Sequence, residues 1–216
     1  MAVSQIGNVT KTLRTLISLT FLLASLPATA AEAMSAKASP QTTTVILQTT
    51  SGDIHIALDH ARAPKTSQNF LAYVDDGLFR HMTFYRAMAS NRAATEGMIQ
   101  GGMGNNLRGT LPPVPHEPTY ETGLSHVDGA VSMAYTSLPG SARTEFFIVV
   151  GEIPSYDGVP GGKPGYAVFG KVTQGMDVVK KILQMPKAEN ARNPALQGQM
   201  LVEPVKITGA RRAPRE

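Results

Sequence analysis

Residues 129–172 contain three short apolar runs: Gly129-Ala130-Val131-Ser132-Met133-Ala134, Glu145-Phe146-Phe147-Ile148-Val149 and Tyr166-Ala167-Val168-Phe169. Loops rich in Gly, Pro and Ser separate these runs. Short apolar segments bounded by such loops are typical of β-strands. Runs of the same kind at residues 82–86, 98–101 and 202–207 extend the pattern towards both ends of the sequence.

An alternating segment further upstream predicts a β-hairpin. Ile54, Ile56 and Leu58 alternate with polar or small residues, which is the period of a half-buried strand. Another apolar run, residues 45–47, precedes this segment, and Thr50-Ser51-Gly52-Asp53 lies between the two. Because glycine in so short a connection indicates a tight turn, the two segments are expected to pair as antiparallel strands.

Two other segments have the spacing of helices. Pro64 suits the first turn of a helix, where its missing N–H costs nothing, and Gly77 is a typical helix end. The apolar stripe of this helix consists of Phe70, Leu71 and Val74. A second helix is predicted over residues 176–184, with Pro186 beyond its end. Many short strands with two helices at separate points predict a mainly β fold, an antiparallel barrel with helical plugs.

Residues 1–30 are predicted to be a secretory signal peptide. Their charges are Lys11 and Arg14, and a short apolar run follows. Small residues then predict cleavage after Ala30 or up to Ala33. A membrane anchor and a buried helix are the alternatives, but the apolar run is well short of the roughly 20 residues that span a bilayer.

The rest of the chain divides into a linker, one domain and a tail. Residues 31–43 are predicted to be a flexible linker, residues 44–208 the folded domain and residues 209–216 a basic tail, whose last six residues are expected to fray. The formal net charge is +4, from 20 basic and 16 acidic residues. Two of the basic residues lie in the predicted signal peptide, so cleavage lowers the charge and we expect no nucleic-acid partner. No second apolar run resembles the leader, and we expect no membrane association after cleavage.

The inventory of reactive side chains excludes several chemistries. The sequence has no Cys, which removes disulfides, thiol nucleophiles and thiolate-bound metals. It has no Gly-x-Ser-x-Gly elbow in the folded part, and Gly101-Gly102-Met103-Gly104 lacks the further residues of a nucleotide-binding loop. The five His show no His-Glu-x-x-His spacing, so no metal and no other cofactor is predicted. His116 and His126 lie in predicted loops, where we expect them to hydrogen-bond backbone groups.

Six blocks occur in an order that is specific to one family: Phe84-Tyr85-Arg86, Met98-Ile99-Gln100-Gly101-Gly102, Gly129-Ala130-Val131-Ser132-Met133-Ala134, Glu145-Phe146-Phe147-Ile148, Gly165-Tyr166-Ala167-Val168-Phe169-Gly170-Lys171-Val172 and Gly175-Met176-Asp177-Val178-Val179. Over residues 44–208 the sequence resembles the cyclophilins, the cyclosporin-binding class of peptidyl-prolyl cis–trans isomerases, and among them the bacterial exported members. The resemblance implies a closed eight-stranded antiparallel barrel capped by two α-helices. It also implies isomerase activity on proline-containing polypeptides, a periplasmic location and a monomer.

The resemblance also assigns roles to individual residues. Arg86 is the implied catalytic residue. The implied walls of the proline pocket are Met98, Phe147, Tyr156 and Tyr166, and the other implied substrate-binding residues are Tyr85, Gln100, Ala134 and Glu145. Amide resonance gives rotation about an X–Pro bond a barrier of about 18–20 kcal/mol. A guanidinium beside the prolyl nitrogen would favour the pyramidal nitrogen of the twisted amide while the pocket holds the ring.

The sequence departs from the family pattern around this site. Tyr85 stands where the family has His, and Gly97 stands where it has a large aromatic residue, which predicts a looser pocket wall. Glu145 stands where Gln is the rule. A carboxylate close to Arg86 could align the guanidinium or neutralise its charge, and both effects are strong in a partly dry site.

Two further departures concern the loops. The loop of residues 87–97 is longer than usual, and its Met88 could return an apolar group to the pocket. The Trp of cyclosporin-sensitive members is absent beside Tyr156, where Ser155 stands, so we predict weak cyclosporin binding. Together the departures leave a second function open, a non-catalytic chaperone that binds proline-containing peptides on the same fold.

Overall fold

A computed structural model describes residues 42–214 except 105, 107 and 137. The predicted signal peptide and all but the last two residues of the predicted linker lie outside the described residues. The elements in chain order are β1 (Thr42–Thr49), β2 (Gly52–Asp59), α1 (Pro64–Asp75), β3 (Thr83–Ala89), β4 (Gly97–Gly102), α2 (Thr119–Thr122), β5 (Ala130–Met133), β6 (Phe146–Val150), β7 (Ala167–Gln174), α3 (Met176–Gln184) and β8 (Met200–Arg212). The two predicted helices are α1 and α3, and α2 is a further single turn that the sequence pattern does not predict.

The eight strands close into an antiparallel barrel, which confirms the predicted fold class. The order around the barrel is β1, β2, β7, β5, β6, β4, β3 and β8. Val45 of β1 pairs with Ile56 in the predicted hairpin and with Arg212 of the last strand. The barrel therefore closes along a seam between its first and last strands.

The barrel interior is apolar because alternate residues of the strands point inward. Three such residues of β2 are fully buried: Ile54, Ile56 and Leu58. α1 packs on this core through Phe70, whose ring centroid lies 5.5 Å from that of Phe146 and 5.1 Å from that of Phe169. α3 contributes its own buried stripe, Val179, Ile182 and Leu183. No helix within the described part of the chain is both long and apolar enough to cross a membrane.

The prediction of a frayed tail is wrong for Arg211 and Arg212, because β8 continues through them. Arg211 pairs with Ile46 of β1, which places it in the barrel seam. The Arg212 guanidinium donates to both carboxylate oxygens of Asp75 at the end of α1, at 2.8 and 2.7 Å. Basic charge near a terminus predicts fraying, but pairing with β1 determines the structure here.

A second apolar cluster lies on the outside of the barrel wall. Its buried residues come from four neighbouring strands: Met98, Ala130, Phe147, Val149 and Val168. β6 is buried on both faces, because Phe146 belongs to the barrel core and Phe147 to this outer cluster. Half-buried side chains cover the outer cluster: Met88, Leu124, Ala134, Ile153, Tyr156 and Tyr166. The outer cluster contains the residues that the sequence assigns to the proline pocket.

Candidate active site

A β-bulge in β3 brings Tyr85 and Arg86 to the same outer face of the barrel. Phe84 pairs with Gly101 of β4 and Arg86 pairs with Gln100, so Tyr85 is the extra residue. A bulge interrupts the alternation of a strand and redirects side chains. Phe84 is buried in the core, whereas Tyr85 and Arg86 are both partly exposed. Strict alternation would have turned one of these two neighbours inward.

The Arg86 guanidinium is held by two amide oxygens. Nη1 donates to Gln100 Oε1 at 2.8 Å, while Nε and Nη2 donate to Gln199 Oε1 at 3.0 and 2.6 Å. Both acceptors are neutral, and Arg86 forms no ion pair with any residue that the structure describes. The contacts therefore fix the guanidinium plane and leave its positive charge without a counter-ion.

Gln199 is a site residue that the sequence prediction lacks. It lies 113 residues after Arg86, immediately before β8. Its carbonyl accepts from the N–H of Ala87 at 2.8 Å, and its side-chain amide donates to the Ala195 carbonyl at 3.1 Å. No motif marks this loop. Only the pairing of β3 with β8 brings it to the site.

Glu145 contacts Tyr85 and does not contact Arg86. The Tyr85 hydroxyl donates a short hydrogen bond to Glu145 Oε2 and accepts one from Gln100 Nε2 at 2.8 Å. The two charges are therefore not directly paired, because Tyr85 bonds the carboxylate and Gln100 bonds the guanidinium. Gly102 leaves the space that the carboxylate occupies, since a Cβ there would collide with Glu145 Oε1.

Burial raises the pKa values of both Glu145 and Tyr85. Loss of water raises the pKa of the Glu145 carboxyl, and the hydrogen bonds from Tyr85 and Thr144 oppose part of that rise. Burial also raises the pKa of the Tyr85 hydroxyl, and the nearby Glu145 charge raises it further. Tyr85 therefore keeps its proton at neutral pH and remains a donor to the carboxylate.

The residues predicted for the proline pocket meet beside Arg86. The ring centroid of Phe147 lies 5.6 Å from that of Tyr156 and 5.3 Å from that of Tyr166, and the two Tyr rings are 5.0 Å apart. Met98 packs in the same outer cluster. The structure thus brings all four residues together, and their contact with substrate stays a prediction.

Met88 packs between Arg86 and Tyr156, and its backbone lies against Gly97. Its sulfur lies 3.8 Å from Arg86 Nη2 and 3.8 Å from the Tyr156 hydroxyl. Gly97 has a φ of +141°, and a Cβ there would collide with the Met88 carbonyl, so this backbone accepts no side chain at position 97. Met88 thus packs beside the residues predicted for the pocket, and its part in closing the wall at Gly97 stays a prediction.

His126 lies under the pocket and is almost completely buried. Its ring stacks on Phe147 with centroids 5.7 Å apart, and it bonds Asp157 Oδ1 at 2.6 Å and Ser132 Oγ at 2.9 Å. The prediction that His126 bonds backbone groups with its ring is wrong, whereas His116 does bond a backbone carbonyl. Ser132 is 0% exposed, so this Ser-His-Asp arrangement supports the pocket and offers no nucleophile. Burial lowers the pKa of His126, and Asp157 opposes that effect.

A groove of about 590 Å³ runs beside the hydrogen-bonded residues. Its lining includes four of the predicted substrate-binding residues: Tyr85, Gln100, Ala134 and Glu145. The loop before β8 contributes Asn193 and Leu196 to the lining. The Ala134 N–H donates to the Glu145 carbonyl at 2.8 Å, so Ala134 would offer a peptide its carbonyl and not its N–H. Within the described residues, no three His, Asp or Glu side chains gather as metal ligands.

Comparison with known proteins finds one family. Residues 44–211 match the family model described as cyclophilin type peptidyl-prolyl cis-trans isomerase/CLD. Peptidyl-prolyl cis-trans isomerase A of Dickeya dadantii (strain 3937) is 38% identical over 152 residues, covering 68% of this chain and 75% of that protein. Peptidyl-prolyl cis-trans isomerase B of Escherichia coli (strain K12) is 36% identical over 143 residues, covering 64% and 82%. A solved cyclophilin type isomerase of Cryptosporidium parvum superposes with a TM-score of 0.63 at 19% identity, covering 82% of this chain and 100% of that chain.

The family match covers the whole barrel and every residue of the site, so the chain is an enzyme of the prolyl isomerase class. More narrowly, it belongs to the cyclophilin family of peptidyl-prolyl cis–trans isomerases. The resemblance of the sequence blocks to the cyclophilins is thereby confirmed, and the likeness to exported members stays a prediction. The structural neighbour shares the barrel and confirms the fold.

Proposed function

We propose that this protein accelerates the cis–trans isomerisation of X–Pro bonds in exported polypeptides, with Arg86 as the catalytic residue. The uncatalysed exchange takes roughly tens to hundreds of seconds because amide resonance must be broken. In the twisted amide the prolyl nitrogen becomes pyramidal and carries a lone pair. A fixed cationic donor that faces this nitrogen stabilises the twisted state more than either planar isomer, which is the condition for catalysis.

The observation that carries the proposal is the neutral clamp on Arg86. Two amide oxygens hold the guanidinium, and the carboxylate of Glu145 bonds the Tyr85 hydroxyl instead. A carboxylate on Arg86 would cancel much of the field at the prolyl nitrogen, whereas an amide oxygen orients the cation without cancelling its charge. The positive charge is thus available to the substrate.

The outer cluster supplies the second requirement, an apolar surface for the proline ring. Phe147 and Met98 are each 2% exposed, and Tyr156 and Tyr166 rise beside them with their rings partly open to solvent. In the proposed complex the ring rests against these side chains next to Arg86. The carbonyl of the preceding residue then rotates, while Gln100 and the Ala134 carbonyl hold the flanking main chain.

The exported nature of the substrates is supported by the sequence of residues 1–33. A basic start, a short apolar run and small residues at the end form the pattern of a cleaved signal peptide. The proposed location is the periplasm, where newly exported chains fold and where X–Pro isomerisation limits folding rates. All of the proposed site residues come from one chain, in keeping with a monomer.

A protease-coupled assay on an Ala-Pro tetrapeptide tests the proposal. Wild-type protein should accelerate the slow phase, and Arg86→Ala should lose about a hundredfold or more in kcat/KM, the scale on which removal of one transition-state donor acts. Arg211→Ala, an exposed arginine in the barrel seam, is the matched control and should retain wild-type activity. Equal turnover of wild type and Arg86→Ala would contradict the assignment.

The same peptide discriminates the chaperone alternative. Binding measured by chemical-shift changes, together with suppressed aggregation of a client and no acceleration of exchange, would favour a non-catalytic binder. The neutral clamp on Arg86 and the packing of Met88 beside Tyr156 favour the enzyme, because the departures at Glu145 and Gly97 leave the cation and the apolar surface in place.

A further inference from the structure

We infer that Glu145 is a positioning residue for Arg86, acting through the Tyr85 hydroxyl and the Gln100 amide. The inference rests on the proposed function, because it concerns the group that orients the same catalytic cation. It also explains two departures from the family pattern together, since the unusual residues at positions 85 and 145 contact each other.

The contacts form an unbroken chain of hydrogen bonds. Tyr85 Oη donates to Glu145 Oε2, Gln100 Nε2 donates to Tyr85 Oη at 2.8 Å, and Arg86 Nη1 donates to Gln100 Oε1 at 2.8 Å. All four residues are half-buried. Tyr85 and Arg86 lie on β3, Gln100 lies on β4 and Glu145 lies immediately before β6. The chain therefore connects three strand segments of the barrel wall.

The charged residues at the two ends, Glu145 and Arg86, determine which atom donates in each hydrogen bond of the chain. An ionised carboxylate only accepts hydrogen bonds, and a guanidinium only donates them. The single proton of Tyr85 must then point to Glu145, which leaves its oxygen to accept from the Gln100 amide nitrogen. The Gln100 amide is thereby fixed with its oxygen towards Arg86 in one orientation only.

The carboxylate is itself held in place. Thr144 Oγ1 donates to Glu145 Oε1 at 3.0 Å, and Thr144 is buried. On the other side the carboxylate fills the space above Gly102. A rigid acceptor at this place anchors the Tyr85 hydroxyl, and through Gln100 it restricts the plane in which the guanidinium faces the substrate.

Substitutions at positions 145 and 85 distinguish a positioning role of Glu145 from a role in packing alone. Glu145→Leu removes both acceptor oxygens at similar volume, so the Tyr85 proton loses its partner. Glu145→Gln keeps one acceptor oxygen. Tyr85→Phe keeps the ring and removes the link to Gln100.

A double-mutant cycle in kcat/KM tests the inference. Glu145→Leu and Tyr85→Phe should each lower kcat/KM about tenfold, mainly through kcat, because each breaks a charge-assisted hydrogen bond in the chain. The kcat/KM of the double variant should be no lower than that of the less active single variant, since both substitutions interrupt the same chain of hydrogen bonds. Glu145→Gln should recover most of the activity. The matched controls, Glu203→Gln and Tyr120→Phe on exposed positions, should retain wild-type values.

The ¹⁵Nε resonance of Arg86 gives a readout that does not depend on turnover. It should shift in Glu145→Leu and in Tyr85→Phe, and it should stay near the wild-type value in Glu145→Gln. Wild-type activity of Glu145→Leu, fully additive losses in the double variant, or an unmoved Arg86 resonance would each overturn the positioning role. If Glu145→Leu fails to fold, Tyr85→Phe and Glu145→Gln carry the same comparison. An inactive wild-type protein would overturn the proposed function, whereas the resonance would still report whether Glu145 orients Arg86.

Discussion

At the scale of single residues, the site depends on how one cation and one carboxylate are kept apart. The guanidinium of Arg86 has amide partners, and the carboxylate of Glu145 has hydroxyl partners. Burial makes the charge on Glu145 costly, and this cost is visible in its raised pKa. The charged carboxylate of Glu145 therefore lowers the free energy of unfolding at neutral pH, although it lies beside the proposed site.

Replacing Glu145 with Gln should stabilise the protein at neutral pH. Because burial raises the pKa of Glu145 above its ordinary value of 4.5, the folded state binds this proton more tightly than the unfolded chain does. The free energy of unfolding of the wild type then falls as the pH rises from 4.5 through the folded-state pKa, and Gln escapes that loss. Thermal unfolding at neutral pH should give Glu145→Gln a Tm about 2–4 °C above wild type.

The advantage of Glu145→Gln should disappear in acid, where the wild-type carboxyl is protonated as well. Glu203→Gln, an exposed position on β8, serves as the control and should leave the Tm unchanged at both pH values. A lower Tm for Glu145→Gln at neutral pH would show that the carboxylate stabilises the fold.

At the scale of elements, the site is assembled from irregularities in regular strands. The bulge at Tyr85 aims two consecutive side chains outward, and the loop before β8 delivers Gln199 to the guanidinium. A regular β3 would present Arg86 without its hydroxyl neighbour. The loop before β8 is therefore part of the proposed site, although it lies far from Arg86 in sequence.

Removing the side chain of Gln199 should weaken catalysis without unfolding the protein. Gln199→Ala leaves Arg86 with Gln100 alone, so the guanidinium gains freedom and kcat/KM should fall about five- to tenfold. Gln197→Ala, in the same loop but exposed, is the matched control and should keep wild-type kcat/KM. Equal activities of the two variants in the protease-coupled assay would remove Gln199 from the site.

The outer cluster should be sensitive to acid through His126. Because burial lowers the pKa of His126 below its ordinary value of 6.5, the folded state favours the neutral ring, and the unfolded chain takes up the proton first. The free energy of unfolding should therefore decrease as the pH falls below about 6.5. Asp157 and Lys163 face the ring and act in opposite directions, with Asp157 opposing the shift.

Urea unfolding over a pH series measures this effect. His126→Gln should be less stable than wild type at every pH, yet its stability should fall less between about pH 7 and pH 5. His81→Gln, an exposed position, should keep the wild-type slope. Parallel pH profiles for wild type and His126→Gln would show that the buried ring does not govern acid sensitivity.

Local sequence patterns predict the helices and strands well, but they do not predict irregularities that depend on strand pairing, such as the β-bulge. The alternation at Ile54, Ile56 and Leu58 and the helix start at Pro64 depend on neighbouring residues, and both are found as predicted. The bulge at Tyr85 depends on how β3 pairs with two other strands. Nothing local encodes that pairing.

The same distinction applies to the site. The family blocks predict which residues gather around the pocket, and they are found together. The partners of Arg86 and Glu145 depend on side-chain geometry across several strands. This explains why Gln199 is absent from the prediction and why the sequence leaves open whether Glu145 aligns or neutralises Arg86.

At the scale of the whole molecule, the barrel carries two apolar layers that share one wall. The inner layer stabilises the fold, and the outer layer presents the pocket. The seam between β1 and β8 closes the barrel away from this wall, and its last pairs involve Arg211 and Arg212. Arg211 and Arg212 are therefore part of the barrel structure, in spite of their charge.

Removing residues 211–216 should destabilise the barrel. The truncation deletes the pairing of Arg211 with Ile46 and the bidentate ion pair between Arg212 and Asp75. We expect the Tm to fall by about 5 °C or more. Removal of residues 214–216 alone is the control and should leave the Tm close to wild type. An unchanged Tm in the longer truncation would restore the view of this segment as a frayed tail.

Exchange NMR on an Ala-Pro peptide with catalytic amounts of protein tests the catalytic role of Arg86, because it reports isomerisation and binding in one sample. Wild-type protein should produce cis–trans exchange cross-peaks that the peptide alone lacks. Arg86→Ala should shift the peptide resonances by binding but should produce no such cross-peaks. Exchange cross-peaks of wild-type intensity with Arg86→Ala would contradict the account, since catalysis would then not depend on this cation.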